Sequence, residues 1–210
     1  MKALIRLLCA SLITLLAACA SPSLEEGVAS EFSEEGLAAV RNSGFEEAFV
    51  LPGAQLPGYA EVSFPPMDFS RLQVTQTAVS GTTRGQWQMT PEREQGLRRS
   101  WAAATTRAFA DYPRGDGGEL RIESSLVQVA PGRGTSSATS AAGTPMHGTS
   151  DVVNLSAEFR IFDNANDQLL AVIRDRRSIA SLQWNRAAGA DTVNLFNSWA
   201  ALLHTRVSGR

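Results

Sequence analysis

The clearest alternation of apolar and polar side chains in this chain lies at residues 152–163. An alternation with a period of two predicts a β-strand that buries one face. Residues 163–167 are dense in Asp and Asn, which favour tight turns, and an extended apolar pattern resumes at residues 169–176. The two patterned segments and the turn between them predict an antiparallel β-hairpin.

Three shorter segments carry further strand patterns. Residues 60–64 alternate and stop at Pro65 and Pro66, and residues 120–129 alternate between a pair of glycines and a Pro-Gly pair. Residues 178–184 predict a short edge strand. The prolines and glycines at the ends of these segments mark the points where strand pairing stops.

Two segments have the spacing of an amphipathic helix. The first begins at Thr90, Pro91 and Glu92, which supply a hydroxyl cap, a proline at the first helical position and an acid in the first turn. It is predicted to end at about Tyr112, and the second helix is predicted to begin with Asp191 as its cap. Each helix has one apolar stripe, formed by Leu97, Trp101, Ala104 and Ala108 in the first and by Leu195, Phe196, Trp199, Leu202 and Leu203 in the second.

The order of elements is therefore strand, helix, strand, hairpin, helix. Because each helix has a single apolar stripe to bury, two helices packed on one face of a mainly antiparallel sheet satisfy this order. We predict an α+β fold with two layers. Between its second and third strands lie residues 132–150, which are nearly all Gly, Ser, Thr and Ala and predict a flexible loop that contains His147.

The N-terminus has the pattern of an export signal. Lys2 and Arg6 precede an uncharged apolar run at residues 7–18, which is short for a membrane-spanning helix. The run ends in Leu-Ala-Ala-Cys, with Ala18 directly before Cys19, and this sequence resembles the recognition site of the bacterial lipoprotein pathway. It predicts removal of residues 1–18 and attachment of lipid to Cys19, and the alternative is an ordinary secretory signal with a cysteine near its cut site.

Lipidation of Cys19 has two consequences. Two or three acyl chains make membrane attachment nearly permanent, at roughly 0.8 kcal/mol for each buried methylene. Ala20 follows the cysteine, and by resemblance to enterobacterial sorting rules a residue other than Asp there favours the outer membrane, with the domain facing the periplasm. Since Cys9 lies in the discarded peptide, the mature chain keeps no thiol for a disulfide, a zinc site or a nucleophile, and we expect no metal or cofactor.

Charge is unevenly distributed along the mature chain. Seven glutamates lie between residues 21 and 47 against Arg41 alone, whereas the rest of the chain is close to neutral. Residues 19–48 therefore predict an acidic tether, and residues 49–210 a single domain. Strongly basic patches with interleaved aromatic residues are missing from the sequence, so nucleic acid is not an expected partner.

Residues 49–64 and 155–177 contain motifs that resemble landmarks of a known family. The motifs are a Pro-Gly-x-x-Leu-x-Gly-Tyr approach to the first strand, the strand ending at residues 158–163, Leu-Ala-Val and Asp-Arg-Arg in the return arm of the hairpin, and Trp-Ala in the last helix. They resemble a family of bacterial lipoproteins catalogued as domain of unknown function thirty-three-thirteen. The resemblance implies the location and the fold, and it implies no activity.

One polar position inside the hairpin is a candidate site. Asp175 continues the apolar alternation of its strand, so it faces the side on which an unpaired charge is costly. Arg177 or an arginine distant in the chain is its expected partner. A structural ion pair is one interpretation, and a polar site formed by Asp175 with Glu158 on the neighbouring strand is another.

Two classes of function remain. The first is a non-enzymatic envelope lipoprotein that binds another envelope protein or a cell-wall or lipid component. The second is a periplasmic hydrolase that uses Glu158 and Asp175 as paired carboxylates. A serine hydrolase is disfavoured, because only His147 and His204 could serve as its base and no nucleophile motif accompanies them.

Overall fold

The computed structural model of this chain describes residues 23–24, 31–75, 89–139, 145–180 and 189–209. The predicted signal peptide, its cleavage after Ala18 and the lipidation of Cys19 lie outside the described residues, as do residues 181–184 of the predicted edge strand.

The described elements are eight strands, two α-helices and one short 3₁₀ helix. The strands are β1 Ser23–Leu24, β2 Ala38–Arg41, β3 Glu47–Val50, β4 Glu61–Ser63, β5 Gln73–Val74, β6 Glu119–Thr139, β7 Pro145–Asp163 and β8 Gln168–Ala180. The helices are α1 Pro91–Ala108 and α2 Ala190–Ser208, with the 3₁₀ helix at Leu56–Gly58.

The strands form one sheet in the order β1-β2-β3-β8-β7-β6-β4, and β5 also pairs with β6. Neighbours are antiparallel except that β4 and β5 run parallel to β6. Both helices lie on the same face, because Phe159 of β7 contacts Trp101 of α1 and Trp199 of α2 through its ring. The predicted α+β class is confirmed, with strands dominating.

The hairpin and the start of the first helix agree with the sequence analysis. β7 and β8 pair antiparallel from Val152 opposite Ala180 to Asp163 opposite Gln168. The Thr90 hydroxyl accepts the Arg93 backbone N–H at 3.2 Å, as a capping threonine does. Helix α1 ends earlier than predicted, at Ala108.

The predicted start of the second helix needs correction. Gly189 occupies the cap position without a side-chain hydrogen bond, and Asp191 lies inside the first turn. An acid in the first turn is favoured by the helix dipole, so the residue type is right and its position is shifted by two. The helix ends at Ser208, and Gly209 follows as its C-terminal cap with a φ of 70°.

The predicted acidic tether at residues 19–48 is also wrong over most of its length. Strands β2 and β3 lie within or begin in that range, and β3 pairs with β8 in the sheet. Phe32 and Leu37 are buried against Val172. Acidic residues dominate the composition there, but the interspersed apolar side chains still bury surface, which holds the segment on the domain.

The predicted flexible loop at residues 132–150 is a paired structure over its described residues, 132–139 and 145–150. β6 continues to Thr139 and β7 begins at Pro145, with pairs running from Gly132 opposite Val152 to Thr139 opposite Pro145. Backbone groups form the hydrogen bonds between paired strands, so a run of small side chains does not prevent strand pairing. Composition alone therefore misidentified this segment.

Candidate functional site

Hydrogen bonds to Asp175 link strand β8, helix α2 and the turn before β3. Its side chain is 3 % exposed and faces the helices. One carboxylate oxygen, Oδ2, accepts the Arg177 Nε–H at 2.6 Å and the Trp199 indole N–H at 2.7 Å. The other oxygen, Oδ1, accepts the Glu46 backbone N–H at 3.0 Å. The structure thus places Arg177 beside Asp175 and adds α2 and the turn before β3, which the sequence analysis missed.

Glu158 lies on the opposite face of the sheet. In the β7–β8 register Glu158 stands opposite Arg174, and Asp175 stands opposite Ala157. Because successive side chains of a strand point to opposite faces, the sheet separates the two carboxylates. The paired-carboxylate site predicted from Glu158 and Asp175 is therefore wrong.

Three arginines surround the Glu158 carboxylate. Oε1 accepts hydrogen bonds from Arg71 Nη2 at 3.0 Å and Arg160 Nε at 2.9 Å. Oε2 accepts one from Arg174 Nε at 2.9 Å. Burial of Glu158 opposes its ionisation, but the hydrogen bonds from Arg160, Arg71 and Arg174 outweigh burial and lower its pKa to about 2. A carboxylate held in this way stays ionised at neutral pH and has no proton to donate.

Arg174 extends this group toward the N-terminal segment. Both of its terminal nitrogens donate to Glu31, at 2.7 and 3.0 Å, and its guanidinium lies 5.0 Å from the centre of the Phe32 ring. The hydrogen bonds to Glu31, together with those to Glu158, raise the pKa of Arg174 despite its partial burial. The ion pairs therefore secure residues 31–32 on the face of the sheet opposite helices α1 and α2.

A cleft of about 620 Å³ opens between helix α1 and the segment that follows β4. We call it the α1 cleft. Its walls are mostly apolar, and two arginines stand along α1. The lining residues are Val62, Phe64, Pro65, Pro66, Met67, Arg98, Arg99, Trp101, Ala102, Thr105, Thr106 and Phe109.

Packed aromatic rings form the floor of the α1 cleft, that is, the surface at its bottom. Phe64 meets Trp101 and Phe109 edge-on, with ring centroids 6.3 and 4.8 Å apart. Trp101 stacks in turn on Phe159 of the sheet at 5.6 Å. Its buried indole N–H has no hydrogen-bond partner among the described residues. The floor is therefore continuous with the core.

The two arginines of the cleft differ in their surroundings. Arg98 donates through Nε to the Met67 carbonyl at 3.1 Å and lies 3.3 Å from a Glu94 carboxylate oxygen, so it ties α1 to the opposite wall. Arg99 is exposed at the mouth. Arg99 is thus the cation better placed to meet a ligand.

The two histidines lie in different environments. The ring of His204 on α2 meets Phe109 and Tyr112 edge-on at 5.2 and 6.1 Å, and its Nε2 lies 3.8 Å from Asp111. His147 lies on β7, opposite Ser137 in the β6–β7 register. Within the described part of the chain, no group of three or more potential metal ligands comes together.

Comparison with known proteins gives little further information. No family model matches the chain, and no curated protein matches it. The family resemblance noted in the sequence therefore stays a prediction. Of the helices that the structure describes, none is long and apolar enough to cross a membrane.

Solved structures with a similar outline include three bacterial proteins. A dodecamer of a PelC variant from Paraburkholderia phytofirmans is 10% identical, with 73% of this chain and 92% of that chain covered and a TM-score of 0.32. A hypothetical protein from Chlamydia trachomatis is 10% identical, with coverage of 72% and 99% and a TM-score of 0.35. A minor lipoprotein from Acinetobacter baumannii is 10% identical, with coverage of 72% and 94% and a TM-score of 0.31. At such TM-scores the likeness carries no argument about function.

Proposed function

We propose that this chain is a lipid-anchored envelope lipoprotein, attached through Cys19 to the outer membrane and facing the periplasm. Its folded domain acts as a non-enzymatic binding accessory for another envelope protein or a cell-wall component. The α1 cleft is its binding surface. A paired-carboxylate hydrolase is not proposed, because Glu158 and Asp175 lie on opposite faces of the sheet.

The α1 cleft is the observation that carries the binding role. Its volume of about 620 Å³ lies within the range of small-molecule and peptide sites, and its apolar walls lie beside a few polar groups, as in most such sites. Exposed Arg99 at its mouth favours an acidic group on the ligand. We infer a ligand with an extended apolar part and a nearby carboxylate or phosphate.

The N-terminal sequence supports the anchor. Leu-Ala-Ala-Cys closes an apolar run of export-signal length, and the cysteine is the residue to which the lipoprotein pathway attaches lipid. Mass spectrometry of the mature protein tests this part of the proposal. We expect an N-terminal peptide that begins at Cys19 and carries acyl chains, and an unmodified sulfur would contradict the anchor.

Site-specific photo-crosslinking in intact cells tests the binding surface. Ala102 is exposed and lines the cleft, so a photoreactive amino acid at this position is expected to capture one discrete partner. The same amino acid at exposed Ala165, in the turn between β7 and β8, is the matched control. Adding Arg99→Glu should abolish capture at position 102, because the substitution reverses the charge at the mouth. Equal capture of bulk membrane protein at both positions would contradict the cleft as a binding surface.

A further inference from the structure

The β6–β7 hairpin extends well past the rest of the described sheet. Strand β8 ends at Ala180, opposite Val152, and the last residue of β5 that pairs with β6 is Val74. Beyond that level β6 and β7 continue for seven more pairs, from Arg133 opposite Asp151 to Thr139 opposite Pro145. We call residues 133–139 and 145–151 the arm. At about 3.3 Å per residue the arm is roughly 23 Å long.

The arm and the first residue of β1, Ser23, lie at the same end of the sheet. Strand β8 runs toward the arm, and β3 pairs antiparallel with it, with Glu47 opposite Arg174. The turn between β2 and β3 therefore lies at the arm end. Strand β1 pairs antiparallel with β2, with Ser23 opposite Arg41, so the first residue of β1 also lies at the arm end.

The length of the arm can be compared with the length of the spacer from Cys19 to Ser23. Cys19 is only four residues before Ser23, so it lies within about 14 Å of that residue even in a fully extended chain. Along β8, the distance from Arg174 to Ala180 is about 20 Å, and the arm adds its own length to that distance. Measured along the strands, the arm tip therefore lies farther from Arg174 than Cys19 can lie from Ser23.

This difference in reach brings the arm to the lipid surface. A lipidated Cys19 stays at the membrane interface, and the short spacer keeps the arm end of the sheet close to it. Because neighbouring strands of a sheet are rotated by about 20 to 25°, β7 lies at a large angle to β1 and the arm meets the surface obliquely.

The composition of the arm suits this position. Residues 134–150 contain no Lys, Arg, Asp or Glu, and the nearest charged residues are Arg133 and Asp151, which stand opposite each other at its base. Contact with lipid beyond this base pair therefore desolvates no charged side chain. The strands pair with each other, which satisfies half of their backbone groups before contact. Serine, threonine and glycine are suited to the polar headgroup layer rather than to the hydrocarbon interior.

We propose that the arm is a membrane-contacting ribbon that lies in the headgroup layer of the bilayer that holds the lipid on Cys19. This inference rests on the proposed lipid anchor. The partner is the lipid surface itself, and a second copy of this chain is the competing occupant that the experiment separates.

A single introduced cysteine tests the arm. The mature lipidated chain has no other free thiol, so Ser137→Cys can be labelled with an environment-sensitive fluorophore in the full-length lipoprotein. Thr149→Cys repeats the measurement on the second strand, and Ala165→Cys places the label at the opposite end of the sheet. The labelled lipoproteins are reconstituted in phosphatidylcholine vesicles with and without a lipid that carries a headgroup quencher.

We expect the labels at positions 137 and 149 to lose most of their emission to the headgroup quencher, and the label at 165 to keep nearly all of it. Equal emission at the three positions, in protein that floats with the vesicles, overturns the arm proposal and leaves the anchor intact. Protein that fails to float overturns the anchor instead. Energy transfer between arms that persists when the protein is diluted in excess lipid, without quenching, shows pairing with a second copy and also overturns the proposal.

Discussion

The two buried carboxylates of the hairpin are equally inaccessible but are held in different ways. Asp175 and Glu158 are each 3 % exposed. Asp175 faces the helices and accepts hydrogen bonds from one arginine, one indole and one backbone amide. Glu158 faces away from the helices and accepts hydrogen bonds from three arginines.

The difference follows from what each face of the sheet can supply. The helix face is packed with apolar and aromatic side chains, so the partners of Asp175 are mostly neutral donors fixed by the core. The other face is bordered by solvent, so long arginine side chains can converge on Glu158 while their outer parts stay hydrated. Asp175 therefore links elements of the core by hydrogen bonds, and Glu158 lies at the centre of a cluster of arginines on the other face.

Removing the Asp175 carboxylate is expected to have the largest effect. Asp175→Ala should lower the free energy of unfolding by about 4 kcal/mol, because it leaves the buried Trp199 indole N–H and the partly buried Glu46 backbone N–H without their acceptor. Urea unfolding of the purified protein measures the change. Asp175→Asn keeps one acceptor oxygen and should lose clearly less. A loss below about 1 kcal/mol for Asp175→Ala would show that the Asp175 contacts are dispensable.

Neutralising Glu158 should cost somewhat less and should depend on pH. The pKa of Glu158 falls from 4.5 to about 2 on folding, so the folded state binds the proton more weakly than the unfolded state. Its contribution is therefore present above pH 4.5 and is lost as the pH falls toward 2. At 1.36 kcal/mol per pH unit it amounts to about 3 kcal/mol at neutral pH.

Glu158→Gln should accordingly be less stable than the wild type by about 3 kcal/mol at pH 7. The gap should narrow between pH 4.5 and 2 as the wild-type carboxylate becomes protonated. Urea unfolding of both proteins across this range measures it. A gap that stays constant with pH would show that packing, rather than charge, stabilises this position.

Trp199→Phe removes the indole donor to Asp175 and keeps an aromatic ring in place. It should lower the free energy of unfolding by about 2 kcal/mol, from the lost hydrogen bond and the smaller ring. Trp101→Phe is the matched control, because Trp101 is equally buried but its N–H has no partner among the described residues. If both substitutions cost the same, the hydrogen bond to Asp175 adds nothing beyond packing.

The smallest effect is expected at the most exposed arginine of the Glu158 cluster. The Arg71 side chain is 51 % exposed, so water can replace much of its interaction. Arg71→Ala should lower the free energy of unfolding by about 0.5 kcal/mol or less. Arg174→Ala should cost more, since Arg174 also binds Glu31 and packs on Phe32. Urea unfolding of both variants measures the two losses of stability. A larger loss for Arg71→Ala than for Arg174→Ala would contradict this account of the cluster.

The local pattern predicted the features that depend on neighbouring residues in the chain. The alternation in the hairpin predicted its strands, and the same alternation placed Asp175 inward with Arg177 beside it. Thr90 was identified as a cap because the residues that follow it complete the motif. These features are set by residues only a few positions apart.

Features that depend on distant residues could not be predicted in this way. Nothing local to Asp175 indicates that Trp199 and the Glu46 amide will meet it. The parallel pairing of β4 with β6 depends on a connection of more than fifty residues. Composition was misleading in two segments. The glutamates around Phe32 predicted a solvated tether, and the small side chains of the arm predicted a flexible loop.

The pairing of β3 with β8 also constrains the order in which the strands of the sheet can pair during folding. The Glu46 amide and the Asp175 carboxylate are separated by 129 residues in the chain. Contacts of such long sequence separation slow folding, because a long loop must be closed before they form. Strands β2 and β3 must therefore wait, unpaired with β8, until nearly the whole polypeptide is available to fold. The N-terminal strands are thus among the last parts of the sheet to find their partners.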